Sequence, residues 1–245
     1  MQYGDFAQLY DRLMSDVDYD AWAKYLTDLI SKYGGGNRIA ECACGTGELT
    51  IRLKKAGFDI TGFDISQEML NIAAQKARDS GLMINFICMD MKKLTLHKPH
   101  DVIISACDGV NYLLSKAELH SFFSMSYTAL KSGGLLLFDI SSRYKLEKIL
   151  GCNTFAEDDG ECAYILKNMY DEKSKLIEMD LSFYKKSGEL YKRFCEKHIQ
   201  RAHSTEEIIS ELKHAGFTVA EPLEAFTSAA PTQNSERIQF TAIKP

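Results

Sequence analysis

The chain has 245 residues, between one and two domains at roughly 150 residues each, and its 45% apolar and 26% charged residues with only 4 prolines exclude disordered and collagen-like classes. Its 29 Lys and Arg against 34 Asp and Glu leave a net charge of −5, which argues against nucleic acid as a partner. Seven cysteines without C-x-x-C spacing read as reduced thiols, and no apolar run approaches the roughly 20 residues that span a bilayer, so a cytoplasmic protein with no membrane segment or signal peptide is expected.

In chain order, Phe6–Met14 and Tyr19–Tyr33 read as helices. In the second, Trp22, Tyr25, Leu26, Leu29 and Ile30 recur at helical spacing before Gly34-Gly35-Gly36. From Arg38 strands alternate with helices: Arg38–Cys42, then Glu48–Ala56, Asp59–Asp64, Gln67–Ser80, Ile84–Cys88, Val102–Ala106, Ser115–Leu130 and Leu135–Ile140. That alternation predicts βαβ units and a parallel sheet with helices on both faces.

The pattern changes after residue 150. Ile177, Met179, Leu181 and Phe183 alternate with polar residues, and a Lys185–Glu189 turn leads into an extended run from Leu190 to Gln200. With Cys162–Tyr170 as a further strand, residues 151–203 are expected to form a small antiparallel insertion beside the substrate pocket. Ser204-Thr-Glu-Glu207 is a capping box on a helix ending at Gly216, and strands are expected at Thr218–Phe226 and Arg237–Lys244.

The chemistry concentrates in Glu41-Cys-Ala-Cys-Gly-Thr-Gly47, where a strand enters a Gly-x-Gly turn and then a helix. Three residues after Gly47 stands Thr50, so the third glycine of a dinucleotide pattern is missing, and the acidic Glu41 suits a cation better than a pyrophosphate. Asp64 ends the next strand, 17 residues after Gly47. Two carboxylates at neighbouring strand ends can hold ribose hydroxyls and balance a sulfonium or ammonium.

These motifs, with Asp90-Met91, Asp101–Asp108 and Leu130-Lys-Ser-Gly-Gly134 in order behind them, resemble those of the class I S-adenosylmethionine-dependent methyltransferases. The stretch Tyr10–Trp22 resembles the segment before the first motif in a group of small bacterial methyltransferases, and is distantly similar to glycine N-methyltransferases. The resemblance implies an α/β fold with a Rossmann-like seven-stranded sheet, its last strand antiparallel, and S-adenosylmethionine as cofactor. It implies a lid over residues 1–37, a core of 38–150 with 204–245, and an acceptor-binding insertion at 151–203. The cofactor-binding residues it points to are Glu41, Ala43, Gly45, Gly47, Asp64, Ile65, Met69, Asp90, Met91 and Ala106, with Tyr3 and Tyr10 from the lid, where an aromatic face attracts a sulfonium cation. Asp64 and Asp90 also have the simpler reading of turn or N-cap residues, and Tyr10 and Trp22 that of packing residues.

Cys107-Asp-Gly-Val-Asn-Tyr112 follows the fourth strand. Asp108, Asn111 and Tyr112 are candidates to bind or orient a small-molecule methyl acceptor, or else cap the following turn and helix. If a base is needed, Asp108, Tyr191 and His198 are the candidates. No metal is expected: His97-x-x-His100 lacks a matching ligand pair. Two other functions fit part of the pattern, an NAD(P)-dependent oxidoreductase and a cofactor-binding regulatory protein without turnover.

Overall fold

The computed structural model describes residues 11, 14 and 16–245. Tyr3, Tyr10 and, apart from Asp11 and Met14, the expected helix Phe6–Met14 lie outside the described residues.

Helix α1 (Tyr19–Lys32) starts where the Asp18 carboxylate accepts from Ala21 N–H at 2.8 Å, and buries Trp22, Leu26, Leu29 and Ile30. There follow β1 (Arg38–Cys42), α2 (Glu48–Lys55), β2 (Asp59–Asp64), α3 (Gln67–Asp79), β3 (Asn85–Cys88), β4 (His100–Ser105), α4 (Lys116–Ala129) and β5 (Leu130–Ser141). Ser66 and Ser115 cap α3 and α4 through their hydroxyls, each accepting a backbone N–H at 3.2 Å. The central sheet is completed by three strands near the end of the chain.

Between β5 and those strands run β6 (Thr154–Asp158), β7 (Cys162–Asp171), β8 (Leu176–Ser187) and β9 (Leu190–Arg201), then α5 (Thr205–His214) capped by Ser204. The closing strands are β10 (Thr218–Val219), β11 (Leu223–Glu224) and β12 (Arg237–Ile243). The central sheet has the order β10-β12-β5-β4-β1-β2-β3, with β11 also paired to β12. Strands β1 to β5 pair in parallel, and β12 runs antiparallel to β5 from Arg237↔Ser141 to Ile243↔Leu135. The mixed α/β architecture and antiparallel edge are those expected.

Alternation along the strands fills both faces. Ala40, Ile103, Leu136 and Phe138 pack on one side with Phe122, Phe123 and Phe240; Ile39, Val102, Ile104, Leu135 and Leu137 pack on the other with Leu26, Leu53 and Trp22. One expected strand is broken. Thr218–Phe226 divides into β10 and β11 because Pro222 has no N–H to donate, and the pairing with β12 slips by one residue between Val219↔Ala242 and Leu223↔Gln239.

The second sheet is antiparallel, in the order β6-β7-β8-β9. β6 has no counterpart among the expected elements; its mostly exposed Thr-Phe-Ala-Glu-Asp lacks an apolar face. Gly188, at φ 63°, opens the two-residue loop between Ser187 and Leu190. Phe183 and Leu181 of this sheet pack over Met69 and Ile72 of α3, which brings its inner face above the carboxyl ends of the central strands.

Candidate active site

After β1 the chain turns through residues 43–47 into α2. Ala43, Gly45 and Gly47 all have positive φ, at 55°, 54° and 77°. For Ala43 that is a strained conformation of the kind that collects at functional sites. Gly47 is required twice over, because its φ is left-handed and a Cβ there would lie 2.9 Å from Ala73 Cβ. Gly45 faces open space, with nothing within 4 Å of where a Cβ would project, so a ligand can approach its backbone.

Asp64, at the end of β2, braces this turn. One carboxylate oxygen accepts from Gly45 N–H at 2.8 Å and the other from Ser66 N–H at 2.8 Å. A carboxylate accepts about four hydrogen bonds, so room remains for hydroxyl donors. Burial outweighs these bonds and raises the Asp64 carboxyl above its ordinary range. Beside it, Ile65 is 70% exposed, an apolar side chain held out at the strand end, and Met69 is buried beneath the second sheet.

Glu41 lies under the turn, buried, with Thr50 Oγ1 donating to it at 2.6 Å. Burial pushes its carboxyl up to about 8. Asp90 caps a short helical turn, Met91–Lys93, by accepting from Lys92 N–H at 2.9 Å, with Lys92 Nζ 3.7 Å from its other oxygen. Met91 is half-buried against the core and Ala106 is buried at the end of β4. From the N-terminal segment, the Asp11 carboxylate accepts from Thr46 Oγ1 in the turn and from Lys76 Nζ of α3 at 2.8 Å. Asp11 was not among the expected site residues.

At the end of β4, Cys107 and Asp108 both take φ 56°, a second strained corner. Asp108, one of the three candidate bases, is held in an ion pair: its oxygens accept from Gln200 Nε2 at 2.7 Å and Arg237 Nη2 at 3.0 Å. Arg237 also donates to the buried Asp139, whose Oδ2 accepts Asp108 N–H at 3.0 Å, and its guanidinium lies 5.6 Å over the Trp22 ring. These two carboxylates hold Arg237 firmly charged. Arg237, Asp139 and Gln200 were missed because their partners are distant in sequence.

Asn111 is also corrected. It is fully buried; its Nδ2 donates to the carbonyls of Ser141 and Arg201, both at 3.0 Å, and its Oδ1 accepts Ser141 N–H at 2.9 Å. Both N–H donors are used and the side chain is out of reach of an acceptor, so it instead ties β5 to β9. Tyr112, half-exposed, places its hydroxyl 3.3 Å from His198 Nδ1 on β9. Burial lowers the imidazole of His198 below its ordinary value, leaving the ring neutral at pH 7. Tyr191 is not brought to this group: it pairs with Lys186 near the hairpin tip, seven residues from His198 in an unbroken register, and so faces the opposite side.

Comparison with known proteins decides the family. The methyltransferase domain model matches residues 39–134. The chain is 38% identical to the YqeM protein of Bacillus subtilis over 245 residues, covering all of this chain and 98% of that protein. The structure of an S-adenosylmethionine-dependent methyltransferase from Clostridium acetobutylicum superposes with a TM-score of 0.90 at 34% identity, covering 98% of both chains. The chain belongs to the S-adenosylmethionine-dependent methyltransferases. A glycine/sarcosine N-methyltransferase of Halorhodospira halochloris is 31% identical over 128 residues, 50% of this chain and 48% of that protein.

Methyl transfer from S-adenosylmethionine is therefore the activity, and a methyl acceptor is its second substrate. The residues present fit the donor: an open backbone at Gly45, a carboxylate at Asp64 with unused lone pairs, and an exposed apolar side chain at Ile65 suit a nucleoside. Among the described residues no helix is long and apolar enough to cross a membrane.

Proposed function

We propose that this methyltransferase acts on a small molecule held between the carboxyl ends of the central strands and the inner face of the second sheet. The observation that carries the proposal is the contact across that space: Tyr112, beyond β4, reaches His198 of β9 at 3.3 Å, while Phe183 of β8 closes over Met69 of α3. A cleft bounded this closely by two sheets suits a small acceptor better than a macromolecular surface or a nucleic acid. The relative named for glycine and sarcosine supports an acceptor of that size.

In this reading the core of 38–150 and 204–245 carries the donor and 151–203 shapes the acceptor pocket; of the expected lid 1–37, helix α1 packs on the central sheet through Trp22 and Leu26 and belongs to the core. Gly45, Gly47, Ala43, Asp64 and Ile65 hold the nucleoside, with Asp90, Met91 and Ala106 along its edge and Met69 beside it. Bound S-adenosylmethionine supplies a methyl group already activated by its sulfonium, so the chain contributes orientation and exclusion of water. His198, neutral and paired with Tyr112, is the base for an acceptor that has a proton to lose.

The test is incubation of the full chain with methyl-labelled S-adenosylmethionine and a cell extract divided at about 3 kDa. Label is expected in the small fraction. Label confined to the large fraction overturns the proposal.

A further inference from the structure

Glu196 belongs to none of the groups above. It lies on β9 with 9% of its surface exposed, and among the described residues it has no hydrogen-bond or ion-pair partner. Burial alone acts on its carboxyl, and raises it above the ordinary range. Its carboxylate oxygens are not among the fully sealed polar atoms, so the side chain is packed along its length while its oxygens stay within reach of a ligand.

Its position is defined by its neighbours on the strand. The register of β8 with β9 is unbroken, so Phe194, Glu196, His198 and Gln200 share one face, opposite Phe183, Leu181, Met179 and Ile177. Gln200 is anchored at Asp108, beyond β4, by its 2.7 Å bond, and Phe194 packs in the cluster around Met69, beyond β2. In the central sheet β1 lies between β4 and β2. Glu196 therefore sits between the two anchors, on the face turned towards the loop after β1, about 7 Å along the strand from His198.

We infer that Glu196 is an acceptor-binding residue and that the acceptor is a small amine arriving as its ammonium ion. The inference rests on the small-molecule reading given above. A carboxylate on this face binds an ammonium through charge-assisted hydrogen bonds, and offers a neutral hydroxyl much less. The ammonium loses one proton to the His198 imidazole. The freed nitrogen lone pair then forms the new N–C bond as the S–C bond breaks, the pair of the broken bond staying on sulfur, so the product is a methylated ammonium and a neutral thioether.

Methyl-labelled S-adenosylmethionine, the full chain and the extract fraction below about 3 kDa provide the test, with labelled products resolved by mass spectrometry into N-, O- and C-methyl compounds. Label on nitrogen is expected. Glu196→Gln is expected to lower the rate with that product's unmethylated precursor at least tenfold when the precursor is dilute, with most of the loss in KM. Its affinity for S-adenosylhomocysteine by calorimetry stays within twofold. Label only on oxygen or carbon overturns the inference while leaving the small-molecule reading intact, as does a Glu196→Gln rate within twofold of the parent. Label only in macromolecules, or none, overturns that reading and the inference with it. Should Glu196→Gln fail to fold and bind S-adenosylhomocysteine, the parent's nitrogen-versus-oxygen outcome still decides.

Discussion

Glu41 and Asp64 show how two carboxylates beside one glycine turn come to differ. Glu41 is sealed beneath the turn with one hydroxyl donor, and its carboxyl is raised to about 8; Asp64 stands at the rim with backbone donors. For Glu41 the folded value lies above the unfolded one of about 4.5, so the folded chain keeps a proton that the unfolded chain has lost at pH between those values. Its contribution to stability is full below pH 4.5 and falls as pH rises towards 8, by at most about 1.4 kcal/mol per unit. Glu41→Gln removes that dependence. Urea midpoints at pH 5, 6.5 and 8 are expected to show the variant gaining on the parent as pH rises; parallel curves contradict the protonated Glu41. At Asp64, truncation to Ala removes a charged acceptor and is expected to weaken S-adenosylhomocysteine by about 2 kcal/mol, roughly 30-fold, in calorimetry. Gly47 and Asp64 were legible because a left-handed turn and a strand-end acid are local features. Asn111 was not, since its three bonds go to residues 30 and 90 positions away.

Among elements, β9 has the most demanding position, because it alternates between a solvated outer face and an inner face that is polar. Its Glu196, His198 and Gln200 oppose the apolar Leu181, Met179 and Ile177, so the hairpin was visible from β8 while the importance of β9 was masked by its low apolar content. The same strand end depends on Asn111. Replacing Asn111 with Ala leaves Ser141 N–H, Ser141 C=O and Arg201 C=O without that partner in a buried place. A loss of about 2–4 kcal/mol is expected in chemical denaturation. Amide exchange in 195–202 and 138–142 is expected to accelerate more than in β1 or β2. Equal acceleration everywhere would show that Asn111 supports the fold as a whole and does not specifically join the two sheets. Pro222 illustrates the other limit of strand patterns: it removes one donor, and a single expected strand becomes two short pairings with a one-residue slip.

For the whole molecule, the βαβ alternation made the central sheet readable from sequence, because the inner parallel strands bury both faces and every crossover but that from β3 to β4 carries a full helix. The seating of the second sheet was not readable. It depends on Phe183 over Met69, Asn111 at Arg201 and Gln200 at Asp108, contacts between residues that no periodicity connects. If donor and acceptor share the space between the sheets, a ligand of the central sheet couples to the stability of both. S-adenosylhomocysteine at 100 times its dissociation constant adds about 2.7 kcal/mol to the folded state, a rise of roughly 5–10 °C in Tm for a chain of this size. At the same concentration Asp64→Ala, with affinity roughly 30-fold lower, retains a gain of less than about 1 kcal/mol. Differential scanning calorimetry reads both shifts, and exchange at 194–200 separates coupling from simple mass action. Slower exchange there with S-adenosylhomocysteine bound, beyond the slowing seen in β6 at the far edge of the same sheet, is the expected sign that β9 closes the cleft; equal slowing in β6 and β9 would mean that the ligand stabilises the chain without engaging that face.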